Sequence, residues 1–283
     1  MNRLRWRKIV NAVMAAVTGL CALTAVAPLL FVLGLLAVKG ASSINWSFLT
    51  QLPKPTGEIG GGMANAIVGS GQLLLLAAVF GVPLGVAGGI YLSEFGGWGV
   101  PFVVRYAADL LVSVPSIVIG IFAYAVVVIR MGHFSAIAGG FALGVMLLPI
   151  VVTNTEQFLR TVPVWLREGS LALGAGHWKT TISVVVPAAM QGILTGILLA
   201  LARVAGETAP LLFTAFNNDY WARGFGQPVS SLPVRIYEYA LSPYDDYHRQ
   251  AWAAALLLLG LVLLVNVLSR LVLARRMAAR RIA

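Results

Sequence analysis

The sequence predicts an all-α membrane protein with six transmembrane helices, on three observations. Hydrophobic residues make up 59% of the 283 residues and charged residues 11%, against about 25% charged in an ordinary soluble domain. Six uncharged runs, Ile9–Val38, Ile59–Ser93, Leu110–Ile129, Met131–Thr155, Thr180–Ala202 and Gln250–Ser269, each reach the ~20 residues that a helix needs to cross the hydrocarbon core. The basic residues fall between and beyond these runs, with Arg203 in an otherwise apolar stretch as the exception.

The runs place helices at about 9–38, 64–92, 107–129, 133–153, 188–216 and 250–274, in a single transmembrane domain over residues 1–283. The first run follows a basic start, MNRLRWRK, and Ala25-Val26-Ala27 resembles a cleavage site. Its 30 uncharged residues are about twice the longest usual signal core, so an uncleaved helix is expected. Cys21, the sole cysteine, has no partner within the chain and reads as a small buried apolar residue. In the second helix Gly81, Gly85 and Gly89 repeat at four-residue spacing, as do Gly140 with Gly144 in the fourth and Gly192 with Gly196 in the fifth. Such spacing predicts close backbone approach between helices. Pro28, Pro83, Pro115 and Pro210 are expected to kink their helices or free carbonyls, which is tolerable only where protein or a water-filled path re-satisfies them.

Basic residues set the orientation. The tails carry Arg3, Arg5, Arg7 and Lys8 at one end and Arg270, Arg275, Arg276, Arg280 and Arg281 at the other, and the 2–3 and 4–5 loops add Arg105, Arg160, Arg167 and Lys179. That is 13 basic residues on one side against six on the other (Lys39, Lys54, Arg130, Arg223, Arg235 and Arg249), which places both termini in the cytoplasm. The net charge of +10 then serves orientation and contact with anionic lipid rather than nucleic acid. The outer loop 217–249 is rich in tyrosine and tryptophan, as an interfacial belt would be; a docking face for an external partner is the second reading.

Catalytic apparatus is sparse. GAGHWKTT, Gly174 to Thr181, has Trp178 where a phosphate-cradling loop needs glycine, so no ATP site is expected. His133, His177 and His248 lie in three different loops and suggest no metal cluster. The adjacent Asp245 and Asp246 read as a solvated turn. The chain is expected to be no enzyme and to carry no cofactor.

Two segments carry functional signals. EGSLALGAGHWKTTISVVVP runs from Glu168 to Pro187 between two membrane segments, with Gly174 six residues after Glu168 and Pro187 thirteen after that. By its residues alone it is an ordinary amphipathic loop or a docking element. The second segment is RVAGETAP, Arg203 to Pro210. On a continuous helix Arg203 and Glu207, at i and i+4, share one face and can pair. Either charge alone at mid-membrane costs about 2.5–3.5 kcal/mol, and ionisable groups facing a bundle interior mark substrate paths. A guanidinium offers paired donors to a tetrahedral oxyanion, and an ionised Glu207 can accept the O–H of hydrogen phosphate. The structural alternative is that the two residues only neutralise each other.

Together with VPSIVIGIFAY (Val114–Tyr124), LLPIVVTNTEQFLRTVP (Leu147–Pro163) and RVAGETAPLLFTA (Arg203–Ala215), the loop spacing resembles one family, the PstA-type permeases of phosphate ABC transporters. The resemblance runs from about Ala64 to Asn217, and Gly206-Glu207-Thr208-Ala209-Pro210 after Arg203 is its most specific part. It implies a type I ABC importer permease fold in the bacterial cytoplasmic (inner) membrane. It implies a coupling loop at 164–187, with Glu168, Gly169, Ser170, Gly174 and Pro187, that docks into an ATPase subunit, and a substrate path at Arg203, Glu207 and Thr208. The implied partners are a second, homologous permease subunit in a heterodimer, two ATPase subunits carrying ATP and Mg, and an extracytoplasmic phosphate-binding protein. The family's Ala-Ala after the glutamate is Gly169-Ser170 here, which weakens the local helix by about 1 kcal/mol. A permease for phosphonate or sulfate is the nearest alternative. A secondary anion transporter has no use for the Glu168–Pro187 loop, and its paired repeats are not evident. A non-transporting scaffold or sensor subunit leaves Arg203 unexplained.

Overall fold

A computed structural model describes residues 2–280 apart from Thr56 and Trp98. Its elements are α1 (Asn2–Ala41), α2 (Trp46–Thr50), α3 (Ala64–Glu94), α4 (Val100–Ser113), α5 (Ser116–Met131), α6 (Ala136–Arg160), α7 (Val164–Ala172), α8 (His177–Val204), α9 (Ala209–Leu212), α10 (Leu232–Ala240) and α11 (Asp245–Arg280). Among the described residues five helices, α1, α3, α6, α8 and α11, are long and apolar enough to cross a membrane, and the bent pair α4–α5 makes a sixth if it is one span. The side chains of Arg270, Arg275, Arg276 and Arg280, and all of Arg281, lie outside the described residues.

The central helix is α6, packed against α3, α8, α4 and α5. Its contact with α3 is built from the spaced glycines. A Cβ added at Gly81 would meet the Gly144 carbonyl oxygen at 2.9 Å, one at Gly85 would meet Val151 Cβ at 2.7 Å, and one at Gly89 would meet Thr155 Cβ at 2.4 Å. From the other side, Gly140 and Gly144 admit Leu76 and Phe80. Gly192 and Gly196 of α8 likewise face Phe158 and Asn154 of α6. Without a hydrophobic driving force between helices in lipid, such close contact is the main source of cohesion. Leu73, Ala77, Leu143, Leu147 and Val151 fill the core beside it.

Several helix boundaries differ from the sequence expectation. The helix placed at 107–129 is two helices bent by 105°, because Val114 (φ −67°, ψ 130°) and Pro115 (φ −56°, ψ 134°) are extended. Proline disfavours the helical conformation in the residue before it. The helix placed at 133–153 runs on to Arg160. The one placed at 188–216 instead occupies His177–Val204. Pro187 therefore lies inside a helix rather than closing a loop, and a π-helical turn over Thr181–Val185 immediately precedes it. That wider turn displaces the carbonyl that a proline ring would strike. The helix stops at Val204 because Gly206 and Pro210 follow: a proline at 210 clashes with the carbonyl four residues back, at a cost of about 3 kcal/mol or more. By contrast, α1 and α3 continue through Pro28 and Pro83.

The helix α1 packs on α11 near one end, where Gly40 lies against Trp252 and Leu256 and the Lys39 ammonium sits 5.3 Å from the Trp252 ring. The rest of α1 is exposed. Cys21 is therefore exposed on an apolar helix, not buried as expected. The long connections also contain structure. Within 217–249, α10 buries Leu232, Val234 and Tyr239, and Tyr239 stacks on Tyr247 at 4.1 Å, so part of the expected aromatic belt is internal packing.

Candidate functional site

Two breaks in the helices meet at one cleft. The Val114–Pro115 corner between α4 and α5 forms one wall, and the end of α8 forms the other, with Met146 and Ile150 of α6 at the back. The cleft, about 230 Å³, has Ser116, Arg203 and Glu207 as its polar lining. Close packing holds the walls together: a Cβ at Gly120 would meet Pro210 Cα at 2.7 Å. Non-helical backbone at membrane depth is tolerated only where protein buries it or where it lines a water-filled space. Discontinuous helices frame substrate sites in many transporters.

Arg203 is in the last turn of α8, and its side chain is exposed to the cleft while Glu207 is half-buried. The expected i, i+4 pairing is absent. The backbone leaves the helix at Val204, and tighter turns follow, with Gly206 N–H donating to Arg203 O (3.3 Å) and Glu207 N–H to Val204 O (3.1 Å). Among the described residues, neither Arg203 nor Glu207 has an ion pair within 4.0 Å. Thr208, grouped with them by the sequence reading, is not part of the cleft lining. Its carbonyl instead accepts from the N–H groups of Leu211 and Leu212 at the start of α9.

The 164–187 segment forms a helical hairpin. The first arm, α7, carries exposed Glu168 and Gly169, and Gly174 turns the chain at φ +82°, a left-handed conformation that glycine adopts without penalty. The second arm is the start of α8. Ser170 Oγ and Thr180 Oγ1 lie 2.9 Å apart across the hairpin. Trp165, Leu173 and Trp178 are exposed, Leu173 at 91%, so the tip offers an apolar surface.

Several charges that the sequence reading used only for orientation are built into the fold. Glu156 of α6 is buried and accepts from Arg105 of α4 and from Arg160, the latter at 2.8 Å. Glu94, at the end of α3, binds Arg167 of α7 at 2.5 Å. At the opposite end of the bundle Arg235 is buried among Asp219, Glu238 and the Ser230 hydroxyl. Burial pushes the Glu238 carboxyl up despite the guanidinium, and pushes the Tyr239 hydroxyl up to about 12. Arg105–Glu156, Arg167–Glu94 and Arg235–Asp219 are 51, 73 and 16 residues apart in sequence, so no local spacing reveals them; Arg160–Glu156 and Arg235–Glu238 are at helical spacing.

Residues 81–278 match the family described as binding-protein-dependent transport system inner membrane component. The phosphate transport system permease protein PstA of Yersinia pestis is 42% identical over 273 residues, covering 96% of this chain and 92% of that protein. The protein of the same name from Xylella fastidiosa is 45% identical over 271 residues, covering 95% and 94%. The chain belongs to this family of PstA permeases. Solved structures show its fold: a bacterial alginate importer aligns with a TM-score of 0.66 at 12% identity, over 96% of this chain and 99% of that one. The MetNI methionine ABC transporter, described as inward facing, aligns at 0.59 with 20% identity, over 75% and 96%. The chain is thus a multi-pass inner-membrane protein with the type I ABC importer fold.

Proposed function

We propose that this permease forms part of the path by which an ATP-driven importer moves inorganic phosphate across the membrane, with Arg203 as the cation that the anion passes. The carrying observation is the cleft between two helix breaks that Arg203 and Glu207 line, neither of them in an ion pair among the described residues. A guanidinium in that position offers two parallel donors to phosphate oxygens. Glu207 accepts the O–H of hydrogen phosphate and repels a bare dianion, which keeps the site from holding its substrate too tightly. Thr208 acts indirectly, by starting the short helix that fixes the end of the break.

The remaining assignments follow from the same reading. A second permease subunit completes the path, and an extracytoplasmic phosphate-binding protein delivers the anion. The exposed tip of the 164–187 hairpin docks into an ATPase subunit, which supplies ATP and Mg chemistry that this chain does not. Both termini and the hairpin face the cytoplasm, as the basic residues require. In proteoliposomes holding the complete importer and its binding protein, ATP-dependent uptake of labelled phosphate is expected, with labelled sulfate and phosphonate excluded. Equal uptake of sulfate would overturn the assignment of substrate.

A further inference from the structure

Glu94 has a position that its place in the sequence does not suggest. Its side chain is only 10% exposed, and its two carboxylate oxygens reach the two arms of the 164–187 hairpin. Oε1 accepts from Arg167 Nη1 of α7 at 2.5 Å. Oε2 accepts from the Thr181 hydroxyl at 3.1 Å, and that hydroxyl lies 3.0 Å from the His177 carbonyl. Arg167 Nη2 also donates to the Leu159 carbonyl of α6 at 3.0 Å. A single carboxylate therefore joins the end of α3 to both arms of the hairpin, and through Arg167 to α6.

What lies behind Glu94 gives that junction its consequence. The glycine-lined contact between α3 and α6 leaves no space for a methyl group at Gly81, Gly85 or Gly89, so the two helices move as one body. Met146 and Ile150 on α6 line the cleft opposite Arg203. Thr181 opens the π-helical turn of α8, a kind of turn that is frequent at functional sites. We infer that Glu94 is a positioning residue that transmits displacement of the hairpin to the α3–α6 body and so to the wall of the cleft. Without it, the hairpin keeps its apolar contacts with α3 and α6 through Leu166 and Val185 and the Arg167–Leu159 bond, but loses the polar tie that joins both its arms to the end of α3. This inference rests on the reading of the hairpin as the ATPase docking element.

The measurement that separates transmission from mere anchoring is the number of phosphates imported per ATP hydrolysed, taken on the same proteoliposomes with the complete importer and its binding protein. Glu94→Gln keeps the shape and removes the charge. It should lower that ratio roughly tenfold, the scale of one lost charge-assisted bond, while hydrolysis continues. Thr181→Val, which keeps the branched shape and removes one neutral bond, should lower it about threefold. The exchange Glu94→Arg with Arg167→Glu should recover part of the ratio. An unchanged ratio in both single variants would overturn the inference. So would a parallel fall of uptake and hydrolysis with a lower melting temperature, or loss of complex assembly in Thr181→Val, since each marks the contact as structural only. Glu168→Lys on the exposed face of α7 serves as the control for docking. Uncoupling there, with an unchanged ratio in the Glu94 and Thr181 variants, removes only the role of Glu94. Normal uptake by Glu168→Lys removes the docking assignment itself.

Discussion

Two groups of charges in this permease are handled in opposite ways. Glu94 and Glu156 are buried, and each is bound by arginine from another element: Arg167 for the first, Arg105 and additionally Arg160 for the second. Arg203 and Glu207 face one cleft, and among the described residues neither has an ion pair. A buried carboxylate without a partner would be intolerable, so the first group records what assembles the bundle. A charge kept in the membrane region, partly exposed and unpaired, is costly for the fold and useful only if something else arrives to meet it. On the proposed reading, fastening and transport are distinguished by the state of pairing, not by residue type.

The strongest way to break that comparison is Arg203→Gln. Phosphate uptake should fall roughly a hundredfold, the scale for removing one donor that stabilises an anion. The melting temperature of the assembled complex should stay within about 2 °C of the parent, because no contact is lost. Adding Glu207→Gln should leave that temperature unchanged and should not restore uptake. A double variant that transports at the parental rate would make both charges dispensable, and a large drop in melting temperature for Arg203→Gln alone would show a pairing in the membrane that the cleft geometry lacks.

The paired group should answer in the other currency. Glu156→Gln leaves Arg105 and Arg160, about one-third and one-half exposed, without their carboxylate, and stability should fall by about 1.5 kcal/mol, the scale of a lost hydrogen bond to a charged group. Thermal unfolding in detergent measures this. A melting temperature equal to that of the parent would end the claim that pairing marks the fastening residues.

The smallest effect is expected at the far end, where burial raises the Glu238 carboxyl. A raised carboxyl binds its proton more tightly in the folded chain. Its contribution to stability is therefore complete below the unfolded value of about 4.3 and is lost as pH rises through the folded value. Glu238→Gln should remove this slope from a melting series begun near pH 4, with little change in uptake. An identical slope in the variant would place its origin elsewhere.

The spans were legible because bilayer thickness imposes itself on local composition: the uncharged runs and the four-residue glycine spacing need no knowledge of distant residues. The breaks were half legible. Pro115 and Pro210 announce a disturbance in the sequence, but so do Pro28 and Pro83, through which the helices continue. Gly206, four residues before Pro210, is the signal that this helix stops, and an Arg203–Glu207 pair on a shared face needs a helix that continues past it. Arg167 and Arg105, the partners of Glu94 and Glu156 from other helices, were not legible, since tertiary packing brings them in from 73 and 51 residues away. The Glu156–Arg160 pair stands at helical spacing, but nothing local says that its carboxylate is buried or that Arg105 joins it.

The isolation of α1 has a consequence for the area that the protein sweeps. Its uncharged run of 30 residues is about 45 Å long at 1.5 Å per residue, half as long again as the ~30 Å hydrocarbon core. Among the described residues this chain's own hold on it is near Gly40, so within the chain a lean is free to relieve the mismatch. A straight rod of that length confined to that thickness has a horizontal reach of roughly 30 Å. Such a lean would carry its basic end, with Arg3, Arg5, Arg7 and Lys8, sideways along the headgroups, like a mooring line laid out across the surface from a single cleat.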